Sequence, residues 1–190
     1  MSGLASPAAF AGFVALLLAT GVMRVVELTV SARRLRRQAQ APLAEPTFPL
    51  MVLVHVGLVF GPVAEVLWLD RPFVPLLALA AGLVLAGATA LRVWTLRAIG
   101  RAWNVRVVLP ERVATTGPYA WIRHPNYLAV ILEVASLPLI HGAWVSCLTL
   151  SALDAFVLWR RIRVEEAALA ELPAWRAAMA PRARFVPGLF

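Results

Sequence analysis

Residues 126–159 read NYLAVILEVASLPLIHGAWVSCLTLSALDAFVLW. A run this apolar is too long for one membrane crossing, which takes about 20 residues. Its middle, LIHGAW, combines a histidine and a glycine at the point where a tight turn would divide it. The run therefore reads as two spans joined by a turn. Three further apolar runs, residues 4–26, 48–69 and 73–96, precede it. The fold class this implies is all-α, a polytopic membrane protein of about five transmembrane helices. Composition supports the same reading: 61% of the 190 residues are hydrophobic and only 15% charged, more apolar surface than a water-soluble core of this size hides.

All 18 basic residues are arginine. Arg33, Arg34, Arg36 and Arg37 follow the first span; Arg97, Arg101, Arg106, Arg112 and Arg123 lie between the third and fourth; Arg160, Arg161 and Arg163 follow the fifth. Of the remaining loops, only the turn after the second span carries one, Arg71. The positive-inside rule then puts the N-terminus outside and the C-terminus in the cytoplasm. A net charge of +8 raises nucleic acid as a partner, but arginines at helix ends account for it in so apolar a chain. The first span reads as a retained signal anchor, since residues 1–10 carry no basic side chain and no small-x-small site precedes Arg33. Cys147 is alone and suits packing. Three histidines and one cysteine, widely spaced, offer no metal-site pattern.

Polar residues concentrate after the third span. Residues 1–96 read as a three-span scaffold and 97–190 as the half that carries the chemistry, the two making one integral-membrane domain. Within that half, TTGPYAWIRHPNYLAV, residues 115–130, packs two prolines, an arginine, a histidine and three aromatic rings into an otherwise greasy chain. Pro118 after Thr116 and Gly117 suits a capped helix start, and Pro125 forces His124 out of helical geometry and opens the fourth span. Two helix N-termini near each other present unpaired N–H groups suited to a carboxylate. The aromatic residues taken singly fit an interfacial belt; the two prolines with Arg123, His124 and Asn126 do not.

A second constellation is Arg161 with Glu165 and Glu166 on the helix leaving the membrane. Arg161 and Glu165, four apart, share a face and permit an ordinary salt bridge, although Arg before Glu is the less favourable order. Adjacent glutamates at a membrane exit call for a cationic partner.

Together, GPYAWIRHPNYLAV and RIRVEE resemble the isoprenylcysteine carboxyl methyltransferase family and its bacterial membrane relatives. The matching positions are Val113, Ala114, Gly117 and Tyr119, then Arg123 to Tyr127, then Arg161, Glu165 and Glu166. The likeness covers about the last half of the chain and omits the first two spans. The tail departs from it, with LPAWRAAM where the family has Phe-Gly and two tyrosines. The resemblance implies a small helical membrane enzyme of the bacterial inner membrane that uses S-adenosyl-L-methionine, its site facing the cytosol. It implies a cofactor held by Val113, Ala114, Tyr119, His124, Pro125, Asn126, Tyr127 and Glu165, with Arg161 as the catalytic residue that anchors the acceptor. Its reaction would be O-methylation of a carboxylate or acidic hydroxyl on a lipophilic acceptor: an isoprenoid, an alkylpyrone or a phenolic lipid. Positioning carries most of such a transfer.

Glu133, Asp154, His55 and Glu65 lie within spans, where ionisable groups are costly. Glu133 and Asp154 either line a head-group pocket or make a structural hydrogen bond, and Arg92 pairs with one of them. Two other classes compete. Sterol reductases share an Arg-His-Pro-x-Tyr element and use NADPH, but are much larger; a small non-enzymatic membrane protein would leave the clustering of the two motifs unexplained.

Overall fold

A computed structural model describes residues 7–37, 41–110 and 112–188. Six α-helices are described: α1 Pro7–Arg37, α2 Phe48–Trp68, α3 Pro75–Ile99, α4 Pro125–Leu139, α5 Trp144–Leu169 and α6 Pro173–Met179. The start of the expected first span, residues 4–6, lies outside the described residues.

The hydrophobic effect is turned outwards in this molecule. Leu76 is 77% exposed and Phe60 66%, and Leu18, Val22, Leu83 and Leu148 face outwards as well. Such continuous apolar exposure is a lipid-facing surface. α1, α2 and α3 each have the length and apolar composition to cross a membrane. The division of residues 126–159 falls where the sequence puts it, with α4 ending at Leu139 and α5 starting at Trp144. α4 differs from a full span: its 15 residues rise about 22 Å, short of a hydrocarbon core of about 30 Å. Pro125 and the Gly142 turn truncate it from both ends. α5 is long enough at 26 residues, but it carries Asp154 and three arginines.

Gly142 makes the turn with φ +69°, and a Cβ there would meet the Pro72 carbonyl oxygen at 3.1 Å. Beside it His141 is 1% exposed, ringed by Phe10, Phe13 and Phe73 at 5.4 to 5.7 Å. Phe13, Leu17, Leu58, Val134 and Leu137 form the adjoining core between α1, α2 and α4. Glu65 also has a structural role. Its carboxylate accepts the Val145 and Ser146 N–H groups at 3.1 and 2.6 Å, filling the open N-terminus of α5, and binds Arg71 at 3.0 Å. α3 packs on α4, α4 on α5 and α5 on α2, which leaves α1 against α2. That arrangement brings the ends of α1, α3, α4 and α5 together at the arginine-rich end of the bundle.

Candidate active site

The motif is fixed by its prolines. Residues Gly117–Ala120 form one 3₁₀ turn, whose Pro118 carbonyl accepts both the Trp121 and Ile122 N–H groups. The expected capped helix is therefore absent, and the Thr116 side chain makes no cap bond. The six residues between Pro118 and Pro125 leave room for one turn only, because the residue before a proline is held out of the α region. His124 has φ −124° and ψ 55°, and α4 begins at Pro125 as the sequence implies. Gly117 is required at φ +61°, and a Cβ there would lie 3.0 Å from that of Ala98.

The divergent tail packs onto this motif. The Arg123 and His124 N–H groups donate to the Ala183 and Arg184 carbonyls at 2.9 and 3.1 Å. Arg182 donates to the Tyr119 carbonyl. Trp175 and Met179 of α6 pack with Leu169, Val113 and Tyr119.

The two glutamates have separate partners. Glu166 lies 3.0 Å from His124 Nε2, 2.6 Å from Arg184 Nη2 and 3.3 Å from Arg123 Nη1. Burial pushes its carboxyl up, but the hydrogen bonds from His124 and Arg184 and the Arg123 charge outweigh it and hold the group at about 2. Glu165 accepts the Tyr127 hydroxyl, and that same hydroxyl accepts the Arg161 Nε–H at 2.8 Å. The Arg161–Glu165 salt bridge that their spacing permits is not made among the described residues; a relay runs through Tyr127 instead, whose ring stacks on His124 at 5.3 Å. Burial and the Glu165 charge push the Tyr119 phenol up, so that it stays protonated.

Sequence reasoning missed Glu45. Its side chain is 1% exposed, lies 2.9 Å from Arg161 Nη1 and accepts the Val107 N–H. The loop before α2 thereby ties the 100–116 connector to α5, reinforced by a Leu43 N–H to Val107 carbonyl bond of 2.9 Å. The one available signal was an acid in a proline-bearing loop that follows an arginine-rich segment. Arg161 also donates to the Val105 carbonyl and, through Nη1, to Met51 Sδ at 3.2 Å. One N–H of Nη2 has no partner among the described residues.

Arg92 pairs with neither Glu133 nor Asp154. It grips Glu27 at 2.7 Å and donates to Asn126 Oδ1 at 3.2 Å, while Arg24 binds both Glu27 and Glu133. This Asn126–Arg92–Glu27–Arg24–Glu133 chain neutralises buried charge between α1, α3 and α4. It is invisible in local spacing, since Glu27 is 65 positions from Arg92.

A cavity of about 680 Å³ gathers the expected residues. Val113, Ala114, Tyr119, His124, Asn126, Tyr127, Arg161 and Glu165 all line it; Pro125 does not, being buried at the head of α4. Its far end is walled by Leu18, Val22, Val25, Val56 and Phe60 of α1 and α2, residues that also face the lipid side. One cavity thus joins a polar end at the motif to an apolar end at the membrane-facing surface.

Residues 79–171 match the isoprenylcysteine carboxyl methyltransferase (ICMT) family. The chain is also 32% identical over 156 residues to the Bacillus subtilis (strain 168) protein described as "Uncharacterized protein YpbQ", covering 79% of this chain and 92% of that one. The family match takes in both motifs and the two helices, α4 and α5, that carry them, and the relative extends the likeness across nearly its own full length, so the chain belongs to the isoprenylcysteine carboxyl methyltransferase family.

Proposed function

We propose that this protein is an S-adenosyl-L-methionine-dependent O-methyltransferase of the bacterial inner membrane, a single domain whose site faces the cytosol and whose acceptor is a lipophilic carboxylate or acidic hydroxyl. The observation that carries the reading is the two-ended cavity. Its volume lies in the range of small-molecule sites, and its apolar end suits an acceptor arriving from the bilayer. The arginine distribution supports the cytosolic side.

The polar end fits the cofactor. Asn126 Nδ2 and Glu165 Oε1 make no hydrogen bond among the described residues although both residues line the cavity. A free donor and a free carboxylate oxygen match the carboxylate and ammonium of an amino acid. Asn126, Glu165, Tyr119 and the backbone at Val113 and Ala114 would hold it, with the His124 and Tyr127 rings as the floor. When bound, S-adenosyl-L-methionine supplies an electrophilic methyl group on a sulfonium. Arg161 keeps Tyr127 and, through it, Glu165 in place. Its remaining Nη2 N–H and its charge, shared with Glu45, favour the ionised form of an acceptor oxygen. A carboxylate needs no general base, and none is assigned.

Calorimetry on the purified protein tests this reading. S-adenosylhomocysteine should bind the wild type and bind His124→Ala at least tenfold more weakly. Binding of NADPH in its place would favour the reductase reading, and binding of neither would remove the enzyme reading.

A further inference from the structure

Asp154 is left unused by everything above. It is 2% exposed and lines the same cavity as Arg161. Its Oδ1 is buried without a hydrogen-bond partner, and the side chain makes no hydrogen bond or ion pair among the described residues. The structural interhelical bond that the sequence left open for Glu133 and Asp154 is therefore made by Glu133, with Arg24, and not by Asp154 among the described residues. Glu133, the charged group acting on it, is itself a carboxylate, already held by Arg24. A carboxyl without a partner inside a membrane is costly and marks function by default.

Its placement is regular. Asp154, Leu158, Arg161 and Glu165 follow one another at four, three and four residues, which puts them in a single stripe along α5, and all four line the cavity. Arg161 and Glu165 are engaged by Glu45 and Tyr127; Asp154 alone in the stripe is a polar group without a partner. Seven residues before Arg161, it sits about 10 Å further along the helix, towards the apolar walls of Val22, Val52 and Val56.

We infer that Asp154 is a binding residue for a hydroxyl on the head group of the membrane-soluble acceptor. The inference rests on the proposed function and narrows its acceptor class. A buried carboxylate accepts a hydrogen bond from an O–H and opposes a second carboxylate. The acceptor chemistry selected is accordingly that of a hydroxylated amphiphile, a long-chain phenol or enol, rather than a fatty-chain carboxylate.

The test uses the purified full-length protein in detergent at pH 8.5, with 3-pentadecylphenol, pentadecylbenzene and hexadecanoate as probes and S-adenosylhomocysteine binding as the control. The wild type should bind the phenol about tenfold or more tightly than either other probe. Asp154→Asn keeps the shape and removes the charge, so affinity for the phenol should fall about tenfold while that for hexadecanoate rises and S-adenosylhomocysteine binding stays the same. A wild type that prefers hexadecanoate, or makes no distinction between phenol and hydrocarbon, overturns the inference with no variant needed. So does an Asp154→Asn protein that binds S-adenosylhomocysteine but moves both lipids in the same direction or neither. Loss of S-adenosylhomocysteine binding in the wild type would instead sink the proposed function itself.

Discussion

Tyr127→Phe removes one oxygen and leaves the ring stacked on His124. In the wild type that oxygen accepts the Arg161 Nε–H at 2.8 Å and donates to Glu165. Its loss leaves a buried guanidinium N–H and a carboxylate oxygen each short of one partner. A hydrogen bond to a charged group contributes about 1.5 to 3 kcal/mol, so two set an upper bound of about 3 to 6 kcal/mol. Water entering the cavity can replace part of each, and about 2 to 3 kcal/mol is the expected net cost. For a chain of this size that lowers the melting temperature by roughly 4 to 12 °C, read by thermal unfolding in detergent. Glu165, no longer aimed by the hydroxyl, should also bind S-adenosylhomocysteine roughly tenfold more weakly by calorimetry. Tyr119→Phe is the control. Its hydroxyl makes no hydrogen bond among the described residues, so the melting temperature should hold. Tyr127→Phe protein with wild-type melting and wild-type affinity would refute the relay.

Glu45→Ala should be among the most destabilising single changes, about 3 to 5 kcal/mol, because it leaves the buried Arg161 charge without its counter-ion; Glu45→Leu with Arg161→Met should recover much of that in the same melting assay. Glu166 sets an acid limit. Its carboxyl is depressed, so its contribution is complete above the ordinary carboxyl value of 4.5 and is lost as pH falls towards about 2. A melting temperature that declines across that window, with the decline flattened in Glu166→Gln, is expected; the shift bounds the effect at about 3 kcal/mol. In a Cys147→Ser background, Asp70→Cys should be labelled from outside the cell and Arg101→Cys only after permeabilisation, and the reverse pattern would contradict the orientation proposed from the arginines.

Features that depend on neighbours in sequence were legible from the chain. The LIHGAW turn, the break at His124 before Pro125, and the gathering of the Arg-His-Pro-x-Tyr and Arg-x-x-x-Glu-Glu motifs follow from proline and glycine stereochemistry or from motif resemblance, and the structure places them as expected. Features set by long-range pairing were not. The spacing of Arg161 and Glu165 put them on one face and permitted a direct salt bridge, whereas Tyr127 from another helix stands between them and Glu45 from a distant loop takes the charge. Arg92 looked like the partner of an intramembrane acid on α4 or α5, but Glu27 on α1 holds it. In each case the competing partner lies more than 30 positions away, beyond any helical period. The helix expected at Pro118 failed for a local reason, the seven-residue interval before Pro125, which fits one 3₁₀ turn.

The central claim is that the cavity under His124 and Tyr127 binds the methyl donor and opens to a lipid-soluble acceptor. Membranes from cells expressing the wild type, incubated with S-adenosyl-L-methionine tritiated on its methyl group and a lipid extract from the source cells, test it most directly. The account expects label to pass into the organic-soluble fraction with the wild type and to fall at least a hundredfold with His124→Ala and with Glu165→Ala. No labelled lipid above the background of membranes lacking the protein, or equal labelling by the wild type and both variants, would contradict it.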